Sequence, residues 1–250
     1  MNPGLDRVLQ LAGTRNLRDL GGYATVDGRR TRWRVLYRSD CLDKIDPEAQ
    51  QQLIQTGLRT IIDLRDDHEV AERPNVFVSS RQLTYRRIPV WDEPLPAGAD
   101  EHDPSNGYIR ELDLRGARLA EIVETVATPG IIPVLIHCAA GKDRTGLVIG
   151  LLLAAVGVPH STIAEDYALS AKCLGPEYLL LSQRWVESRG LVWERVAHLF
   201  ETPPERMLKT LAYVDEGFGG VDRYLVQHGL TAGSREALRD SLTETNSDRP

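Results

Sequence analysis

The chain has 250 residues, of which 42% are hydrophobic and 26% are charged, as in ordinary globular proteins. This length fits one large α/β domain, and the composition excludes a disordered or fibrous chain. The net charge of -6 gives no general attraction to nucleic acid or to an anionic membrane, so no nucleic-acid partner is expected. The basic cluster RRTRWR (29–34) is interpreted as solvated surface.

Strands and helices are predicted to alternate through the first half of the chain. Short strands end in VLYR (35–38), and Asp46 is placed to cap a helix that Pro47 opens and Gly57 ends. Further along, strands are predicted over 58–65, 83–90 and 131–138, and helices over 67–74 and 108–128. The acidic segment 91–107, rich in Pro and Gly, is predicted to be a long loop, and loops of that length are often functional.

The second half is predicted to be helical. The apolar run LVIGLLLAAVGV (147–158) is typical of a buried helix, and it is shorter than the roughly 20 residues that a membrane-spanning helix needs. We therefore predict no transmembrane segment. Helices are then expected over 162–174, 176–188, 204–217 and 221–229, and the polar tail from 243 is expected to fray.

This order predicts an α/β fold with a mostly parallel central sheet flanked by helices, followed by a helical C-terminal part. We assign residues 1–245 to a single domain, with a helical extension over about 159–243 and a frayed tail at 246–250. In such a sheet the ligand site lies at the carboxyl ends of the strands, where Cys138 is placed.

Location is predicted from the N-terminus and the cysteines. The first residues lack a basic start followed by an unbroken apolar stretch, so a secretory signal is not expected. The three cysteines, Cys41, Cys138 and Cys173, lack the spacing of a disulfide set or a metal site and suit a reducing compartment. We expect a cytoplasmic protein.

The segment HCAAGKDRTG (137–146) carries the chemistry. A strand delivers Cys138, a loop of small residues follows, and an apolar helix begins near Thr145. Successive backbone N–H groups from Ala139 to Arg144 can point inward, and the helix N-terminus adds about half a positive charge, so a phosphate or another oxyanion fits. The same field favours the thiolate form of Cys138.

The other loop residues are candidates for phosphate binding. These residues are Ala139, Ala140, Gly141, Lys142, Asp143 and Arg144. Gly141 lets the backbone pass close to the ligand, and Arg144, six positions after the cysteine, can bring its fork to two phosphate oxygens. Asp143 can position a group in the site or cap the helix.

Three other readings of this segment are weaker. A nucleotide-binding P-loop needs Ser or Thr after Gly-Lys, and Asp143 stands there instead. A metal site needs further Cys or His ligands nearby, and none accompany His137 and Cys138. An ordinary buried cysteine does not account for the combination of strand, loop, Arg144 and helix. No metal or cofactor is therefore expected.

His-Cys, five residues and Arg-Thr together resemble the signature of the protein tyrosine phosphatase superfamily. Lys142-Asp143-Arg144, with NLRDLGGY (16–23), DLRDDHE (63–69) and DYALS (166–170), resembles more narrowly the bacterial atypical tyrosine and phosphoinositide phosphatases of the PtpB and LipA type. The resemblance covers most of the chain. Some members of that group are exported without a signal peptide, which leaves this route open beside the cytoplasmic prediction.

The resemblance implies a two-step reaction without a metal. Cys138 attacks phosphorus, a carboxylic acid protonates the leaving oxygen, and water then hydrolyses the phosphocysteine. It also implies that Thr145 hydrogen-bonds the departing thiolate and that His137 braces the loop. Lysine at position 142 resembles phosphatases that accept inositol phosphates, which adds phosphoinositides to phosphotyrosine proteins as expected substrates.

The acid is the least determined of these residues. In PtpB-type enzymes it follows a strand between the DLR motif and the cysteine, which nominates Asp92 in IPVWD (88–92). Alternatives are Asp63, Asp100, Glu101 and Asp103, while Asp63, Arg65 and Glu69 are also interpreted as a structural ion-pair network. Trp91 and Tyr108, beside the acidic loop, can pack on a phosphotyrosine ring or anchor the core.

The preferred function is a phosphomonoesterase of dual or triple specificity. The alternatives are a catalytically weak module that binds phosphoproteins and, less favoured, a sulfur-transfer or arsenate-reducing enzyme. The intact pair of Cys138 and Arg144 argues for the phosphatase.

Overall fold

The computed structural model describes residues 7–91 and 104–245. The strands are β1 (Arg18–Asp19), β2 (Arg30–Thr31), β3 (Leu36–Ser39), β4 (Thr60–Asp63), β5 (Thr84–Arg87), β6 (Val134–His137) and β7 (Thr243–Glu244). The α-helices are α1 (Pro47–Gln55), α2 (Asp67–Glu72), α3 (Pro104–Ala127), α4 (Asp143–Ala155), α5 (His160–Glu187), α6 (Trp193–Val196), α7 (Pro204–Phe218), α8 (Val221–Gln227) and α9 (Ala232–Leu242). A 3-10 helix spans Ala197–Phe200. In these residues no helix is both long and apolar enough to cross a membrane.

The central sheet has five strands in the order β1-β3-β6-β4-β5. The pairs β3·β6, β6·β4 and β4·β5 are parallel, and β1 is an antiparallel edge strand. Helices pack on both faces of this sheet, and α4 to α9 follow β6. The predicted fold class, a mostly parallel sheet with a helical C-terminal part, is confirmed.

The two faces of the sheet build two cores of unequal size. On β6, Val134 and Ile136 belong to the larger core, which α3, α4, α7 and α8 cover, and Leu135 belongs to the smaller core against α1. These three side chains are completely buried. This alternation follows from the two-residue period of a strand, so burial of both faces fixes how β6 presents the residues that follow it.

Several helix boundaries follow the signals in the sequence. The Asp46 side chain accepts a hydrogen bond of 2.8 Å from the N–H of Ala49, as expected of a helix cap. In α5, Gly175 has a φ of 69°, which breaks the helix between the two predicted segments 162–174 and 176–188. The sequence predicts that this region as a whole is helical, but its patterns do not single out the helical stretches at 193–200 and 232–242.

The first two residues of the predicted frayed tail form a strand. Thr243 and Glu244 were expected to fray, but they form β7, which pairs antiparallel with β2. This expectation is wrong because polarity alone does not reveal that Arg30 and Thr31, far away in the chain, supply a partner strand. Residues 246–250 lie outside the described residues.

The carboxyl ends of β3, β4 and β6 meet at one edge of the sheet. Cys138 directly follows β6, Asp40 and Cys41 follow β3, and Leu64 follows β4. The Leu64 N–H donates to the carbonyl of His137 at 2.9 Å, which ties the end of β4 to the residue before Cys138. This edge holds the candidate site.

Candidate active site

The backbone from Cys138 to Lys142 forms a loop between β6 and α4. Cys138 is only 3% exposed, and α4 begins at Asp143. The loop therefore connects a buried thiol to a helix N-terminus, where the unpaired N–H groups carry partial positive charge.

The carbonyl groups of this loop are bonded on its outer side. The Ala139 carbonyl accepts from the N–H of Cys41 at 3.0 Å. The side-chain amide of Asn16 donates to the carbonyls of both Ala140 and Gly141, each at 3.0 Å. Asn16 is completely buried. Its two amide hydrogens thus hold two successive peptide groups with their oxygens turned outward.

Gly141 is required by both space and backbone conformation. Its φ is 66°, a region that residues with a Cβ rarely adopt, and a Cβ here would lie 2.2 Å from the carbonyl oxygen of Ser39. The Gly141 carbonyl also accepts a bond of 2.7 Å from an Nη of Arg38. Only glycine therefore lets the loop lie this close to the end of β3.

Because a trans peptide places its N–H opposite its carbonyl, the N–H groups of residues 140–142 point away from these outer donors. Within 7–91 and 104–245, no backbone acceptor takes the N–H groups of residues 139–144. Backbone N–H groups rarely stay unpaired when buried, so several successive unpaired ones indicate a place for an anion. The predicted anion cradle is consistent with this geometry.

His137 is held in one tautomer behind the loop. The N–H of Phe77 donates to the oxygen of Asn75 at 2.9 Å, which turns the Asn75 amide nitrogen toward Nε2 of His137, also at 2.9 Å. Nε2 is then an acceptor, and Nδ1–H donates to the Cys138 carbonyl at 3.1 Å. Burial lowers the pKa of His137 and outweighs Asp63, which has one oxygen 3.4 Å from Nε2 and acts in the opposite direction. His137 thus lies where it can brace the loop.

Arg144 is held by Glu69 from α2. One Nη of Arg144 donates to Oε1 at 2.6 Å and the other donates to Oε2. The Arg144 Nε is buried and has no partner among the described residues, and the Trp91 ring lies 4.8 Å from the guanidinium carbon. This arrangement leaves the Nε–H for a ligand, while Glu69 and Trp91 fix the plane of the fork.

Glu69 itself is positioned by the first turn of its helix. Asp66 and Glu69 form a reciprocal capping box: the Asp66 side chain accepts from the Glu69 N–H at 2.8 Å and Glu69 accepts from the Asp66 N–H at 3.1 Å. Burial alone would raise the pKa of Glu69, but Arg144 outweighs burial and holds this pKa below its usual range. Glu69 is therefore a carboxylate that serves the helix cap and Arg144 together.

Lys142 and Asp143 contact the helical part of the chain. The Lys142 ammonium donates to the Leu199 carbonyl at 2.7 Å and lies 3.3 Å from Asp143, and its side chain is 1% exposed. The Tyr108 hydroxyl donates to Asp143 at 2.6 Å. Burial lowers the pKa of Lys142. In this arrangement Lys142 is engaged by protein groups, so its charge reaches a ligand only if the Leu199 contact opens.

Thr145 follows one residue after Arg144 in α4. It is completely buried, and its Oγ1 has no partner among the described residues. A buried hydroxyl usually has a partner, so this one is open to a thiolate or a bound oxyanion.

The candidate acids fall into two groups. Both Asp63 oxygens are engaged by Arg65 at 2.7 to 3.2 Å, and Tyr85 donates to one of them at 2.9 Å. Asp63 is completely buried, so it serves the ion-pair network, one of the two roles left open by the sequence. Asp92, Asp100, Glu101 and Asp103 lie outside the described residues.

A cavity of about 560 Å³ opens beside the loop, at Ala139 and Ala140. The rest of its lining is mixed in character, with charged side chains from the N-terminal half and apolar side chains from the helical part. These include Arg15, Lys44, Arg73, Leu181, Trp185 and Phe200. Trp91 and Tyr108, the aromatic residues considered for ring stacking, do not line it. They pack in or against the larger core.

Sequence reasoning missed the residues that hold the loop from behind. Asn16 and Asp166 belong to the motifs NLRDLGGY and DYALS, and Arg38 ends the predicted strand VLYR, but neither the motifs nor their spacing predicts a contact with the loop for any of them. A signal existed in the motifs themselves, because a buried Asn, Arg or Asp needs a polar partner.

A model of the tyrosine phosphatase family matches residues 9–244. The chain belongs to this family. The resemblance of HCAAGKDRTG and its companion motifs is thereby confirmed, as is the prediction of a phosphatase.

Two curated relatives and one solved structure illustrate the range of similarity. The tyrosine-protein phosphatase of Nostoc commune is 30% identical over 142 residues, which cover 55% of this chain but only 48% of that protein. The triple specificity protein phosphatase PtpB of Mycobacterium tuberculosis is 29% identical over 250 residues, covering 86% of this chain and 84% of PtpB. The core catalytic domain of the PP-IP phosphatase SIW14 from S. cerevisiae is 19% identical, covers 71% of this chain and 87% of that domain, and has a TM-score of 0.42.

Replacement of Glu69 by Gln tests the ion pair with Arg144. Because the folded-state pKa of Glu69 is depressed, the pair stabilises the protein fully above the unfolded pKa of about 4.3, and this stability is lost as pH falls through the lower folded value. We expect Glu69→Gln to lower the free energy of unfolding by about 1–3 kcal/mol at neutral pH. The difference should shrink in acid, as measured by urea titrations.

Glu72→Gln is the matched control, since Glu72 lies on the same helix but is exposed, with its carboxylate 3.7 Å from His68. Its effect should stay within about 0.5 kcal/mol at every pH. A Glu69→Gln effect equal to that of the control, or one that persists undiminished in acid, would contradict the assigned ion pair.

Proposed function

We propose that this phosphatase works through a phosphocysteine intermediate on Cys138. The observation that carries the proposal is the loop geometry: the carbonyls of residues 139–141 bond outward, the N–H groups of 139–144 have no backbone acceptor among the described residues, and the buried Cys138 begins the loop. These N–H groups belong to Ala139, Ala140, Gly141, Lys142, Asp143 and Arg144, and Arg144 adds its Nε–H, which has no partner among the described residues.

In the first step the Cys138 thiolate forms a bond to phosphorus while the bond from phosphorus to the ester oxygen breaks. A carboxylic acid, which we assign to Asp92, gives its proton to that oxygen. In the second step the Asp92 carboxylate takes a proton from water, the water oxygen bonds to phosphorus, and the bond to sulfur breaks. The hydroxyl of Thr145 donates to the returning thiolate, and His137 keeps the loop in place through the Cys138 carbonyl.

We propose phosphotyrosine proteins as substrates, with phosphoserine and phosphothreonine proteins as further ones. The name of the M. tuberculosis relative, a triple specificity protein phosphatase, supports this breadth. Phosphoinositides are proposed as additional substrates because the cavity beside the loop is lined by Arg15, Lys44 and Arg73 as well as by Asp40 and Asp43, and the three cations can meet further phosphate groups. The cytoplasmic location remains a prediction from the cysteines.

A catalytically weak phosphoprotein-binding module is the second candidate. The same cradle would bind a phosphate in either case, so the two functions differ in whether Cys138 reacts. Turnover and a covalent intermediate separate them.

Cys138→Ser tests the nucleophile with p-nitrophenyl phosphate as substrate. We expect kcat to fall more than about 1,000-fold, because a serine hydroxyl in this position is a far weaker nucleophile than a thiolate. The wild-type protein, denatured rapidly during turnover of labelled substrate, should carry phosphate on Cys138. Cys173→Ser is the matched control and should keep its activity. Equal activity of Cys138→Ser and the wild type would exclude the mechanism.

Asp92→Asn tests the acid. We expect turnover of a phosphotyrosine peptide to fall by about 100-fold or more, since proton donation to a poor leaving group contributes that much. Turnover of p-nitrophenyl phosphate, whose leaving group needs less help, should fall less. Asp100→Asn is the control on the same segment. If the loss follows Asp100→Asn instead, the acid is Asp100 and the assignment to Asp92 is wrong.

Lys44→Gln combined with Arg73→Gln tests the substrate class. Both side chains line the cavity. Removal of the two cations should lower kcat/KM for a phosphoinositide with several phosphates about tenfold more than it lowers kcat/KM for a phosphotyrosine peptide. Arg81→Gln, an exposed arginine away from the cavity, is the control. An equal loss for both substrates would argue against phosphoinositide recognition by these residues.

A further inference from the structure

Two arginines and one aspartate are completely enclosed behind the phosphate loop. Arg18 on β1 donates through Nε to Asp166 on α5 at 2.9 Å, and Arg38 on β3 donates through an Nη to the other oxygen of Asp166 at 2.6 Å. None of the three side chains is more than 1% exposed. Three separate segments of the chain therefore meet at one buried group of charges.

The pairing of β1 with β3 brings the two arginines together, which destabilises the fold unless an opposite charge compensates. Arg18 and Arg38 are Cα partners in the antiparallel pair β1·β3, so their side chains lie side by side on one face of the sheet. Like charges directly opposite each other destabilise a sheet. Asp166 offsets one of the two charges, which leaves one positive charge in excess inside the protein.

From this group, two chains of hydrogen bonds lead to the loop. Arg38 uses its second Nη to donate to the Gly141 carbonyl at 2.7 Å. Arg18 donates to the oxygen of the Asn16 side chain, and the nitrogen of that side chain donates to the Ala140 and Gly141 carbonyls. Both chains end on the Gly141 carbonyl, the group that must stay turned away from the anion.

We propose that Asn16 and Arg38 are positioning residues that keep the loop ready for phosphate, with Arg18 and Asp166 holding them in place. The proposal rests on the proposed function of the loop as a phosphate cradle. The donors prevent the peptide groups after Ala140 and Gly141 from rotating, and the excess positive charge lies on the side of the loop away from the substrate. Both effects favour the bound anion over the empty loop.

A rotated peptide would damage the site in two ways. A carbonyl oxygen would point at the phosphate in place of an N–H, and one hydrogen bond to the anion would be lost. Gly141 has no Cβ, so its backbone can adopt many conformations and does not by itself oppose this rotation. The side chains of Asn16 and Arg38 supply the restraint that the loop sequence lacks.

The charge in this group is constant over the pH range in which phosphatases work. Burial alone would raise the pKa of Asp166, but Arg18 and Arg38 hold it far below its usual range. Burial and the neighbouring Arg18 lower the pKa of Arg38, but an arginine side chain stays protonated in proteins, so the excess of one positive charge in this group persists. Coulomb interactions are poorly screened in a buried setting, and this charge therefore acts on the loop at physiological ionic strength.

A purely structural role is the competing explanation, since the same contacts tie β1, β3 and α5 together. Ser170 offers a matched control for that role. Its hydroxyl accepts from Arg18 at 3.1 Å and is completely buried, and among the described residues no hydrogen bond joins it to the loop. Ser170→Ala should thus weaken the buried group without freeing either carbonyl.

The experiment compares Asn16→Ala, Arg38→Met, Arg38→Lys and Ser170→Ala in the full-length protein. For each variant, kcat and KM are measured with p-nitrophenyl phosphate, and the inhibition constant of inorganic phosphate and the urea midpoint are measured beside them. We expect Asn16→Ala and Arg38→Met to lower kcat/KM by about 100-fold, the size of effect that a small misplacement of binding groups can cause. The inhibition constant of phosphate should rise about tenfold or more.

Arg38→Lys should recover part of the phosphate affinity lost in Arg38→Met, because lysine keeps the charge but not the second donor. Ser170→Ala should lower the urea midpoint and leave kcat/KM and phosphate inhibition within about twofold of the wild type. If Asn16→Ala and Arg38→Met change only the urea midpoint, as the control does, the positioning role is wrong. If Asn16→Ala does not fold, the comparison of the two Arg38 variants decides the question in the same way.

Calorimetric titration of inorganic phosphate into Cys138→Ser separates this proposal from the proposed reaction. Binding there does not require Cys138 to react. A loss of phosphate binding when Asn16→Ala is added to Cys138→Ser supports the positioning role even if the wild type forms no phosphocysteine. Unchanged phosphate binding in that double variant overturns the positioning role and leaves the reaction mechanism intact.

Discussion

The orientation of three peptide groups, those whose carbonyls belong to residues 139–141, is the constraint on which the rest of the site depends. An isolated loop of small residues has no reason to turn these oxygens outward. Here each oxygen has a donor from outside the loop, namely the Cys41 N–H, the Asn16 amide and the Arg38 guanidinium. Because buried carbonyls need partners, the donors choose the orientation, and the N–H groups then necessarily face the other way.

The carboxylates near the loop do not fully neutralise the arginines that they contact. Glu69 takes both Nη groups of Arg144 but leaves its Nε–H, and Asp166 offsets only one of the two arginines behind the loop. Each carboxylate therefore orients a cation without removing the positive potential that an anion needs. Lys142 differs, since its ammonium is bound to the Leu199 carbonyl and to Asp143, and its charge is directed to the helical part.

The sequence was informative where the cause of a structure is local. Asp46 with Pro47 predicted the start of α1, the separate helical segments 162–174 and 176–188 predicted the break in α5, and the loop from Cys138 to Arg144 predicted an anion site from adjacent residues alone. It was uninformative where partners lie far apart. Asn16 and Gly141 are separated by 125 positions, and neither periodicity nor spacing connects them. The pairing of β7 with β2 and the direction of the Lys142 side chain were missed for the same reason.

The loop also joins the sheet to the helices that follow it. Arg206 on α7 donates to the Tyr167 hydroxyl at 3.2 Å, Tyr167 donates to Tyr108 at 2.9 Å, and Tyr108 donates to Asp143 at 2.6 Å. The direction of each bond is fixed, because arginine only donates and the carboxylate only accepts. Asp143 is thus linked to α3, α5 and α7, and Lys142 to the 3-10 helix, whereas the Ala140 and Gly141 carbonyls are held by Asn16, just before β1, and by Arg38 on β3. The two ends of the loop are therefore held by different parts of the chain.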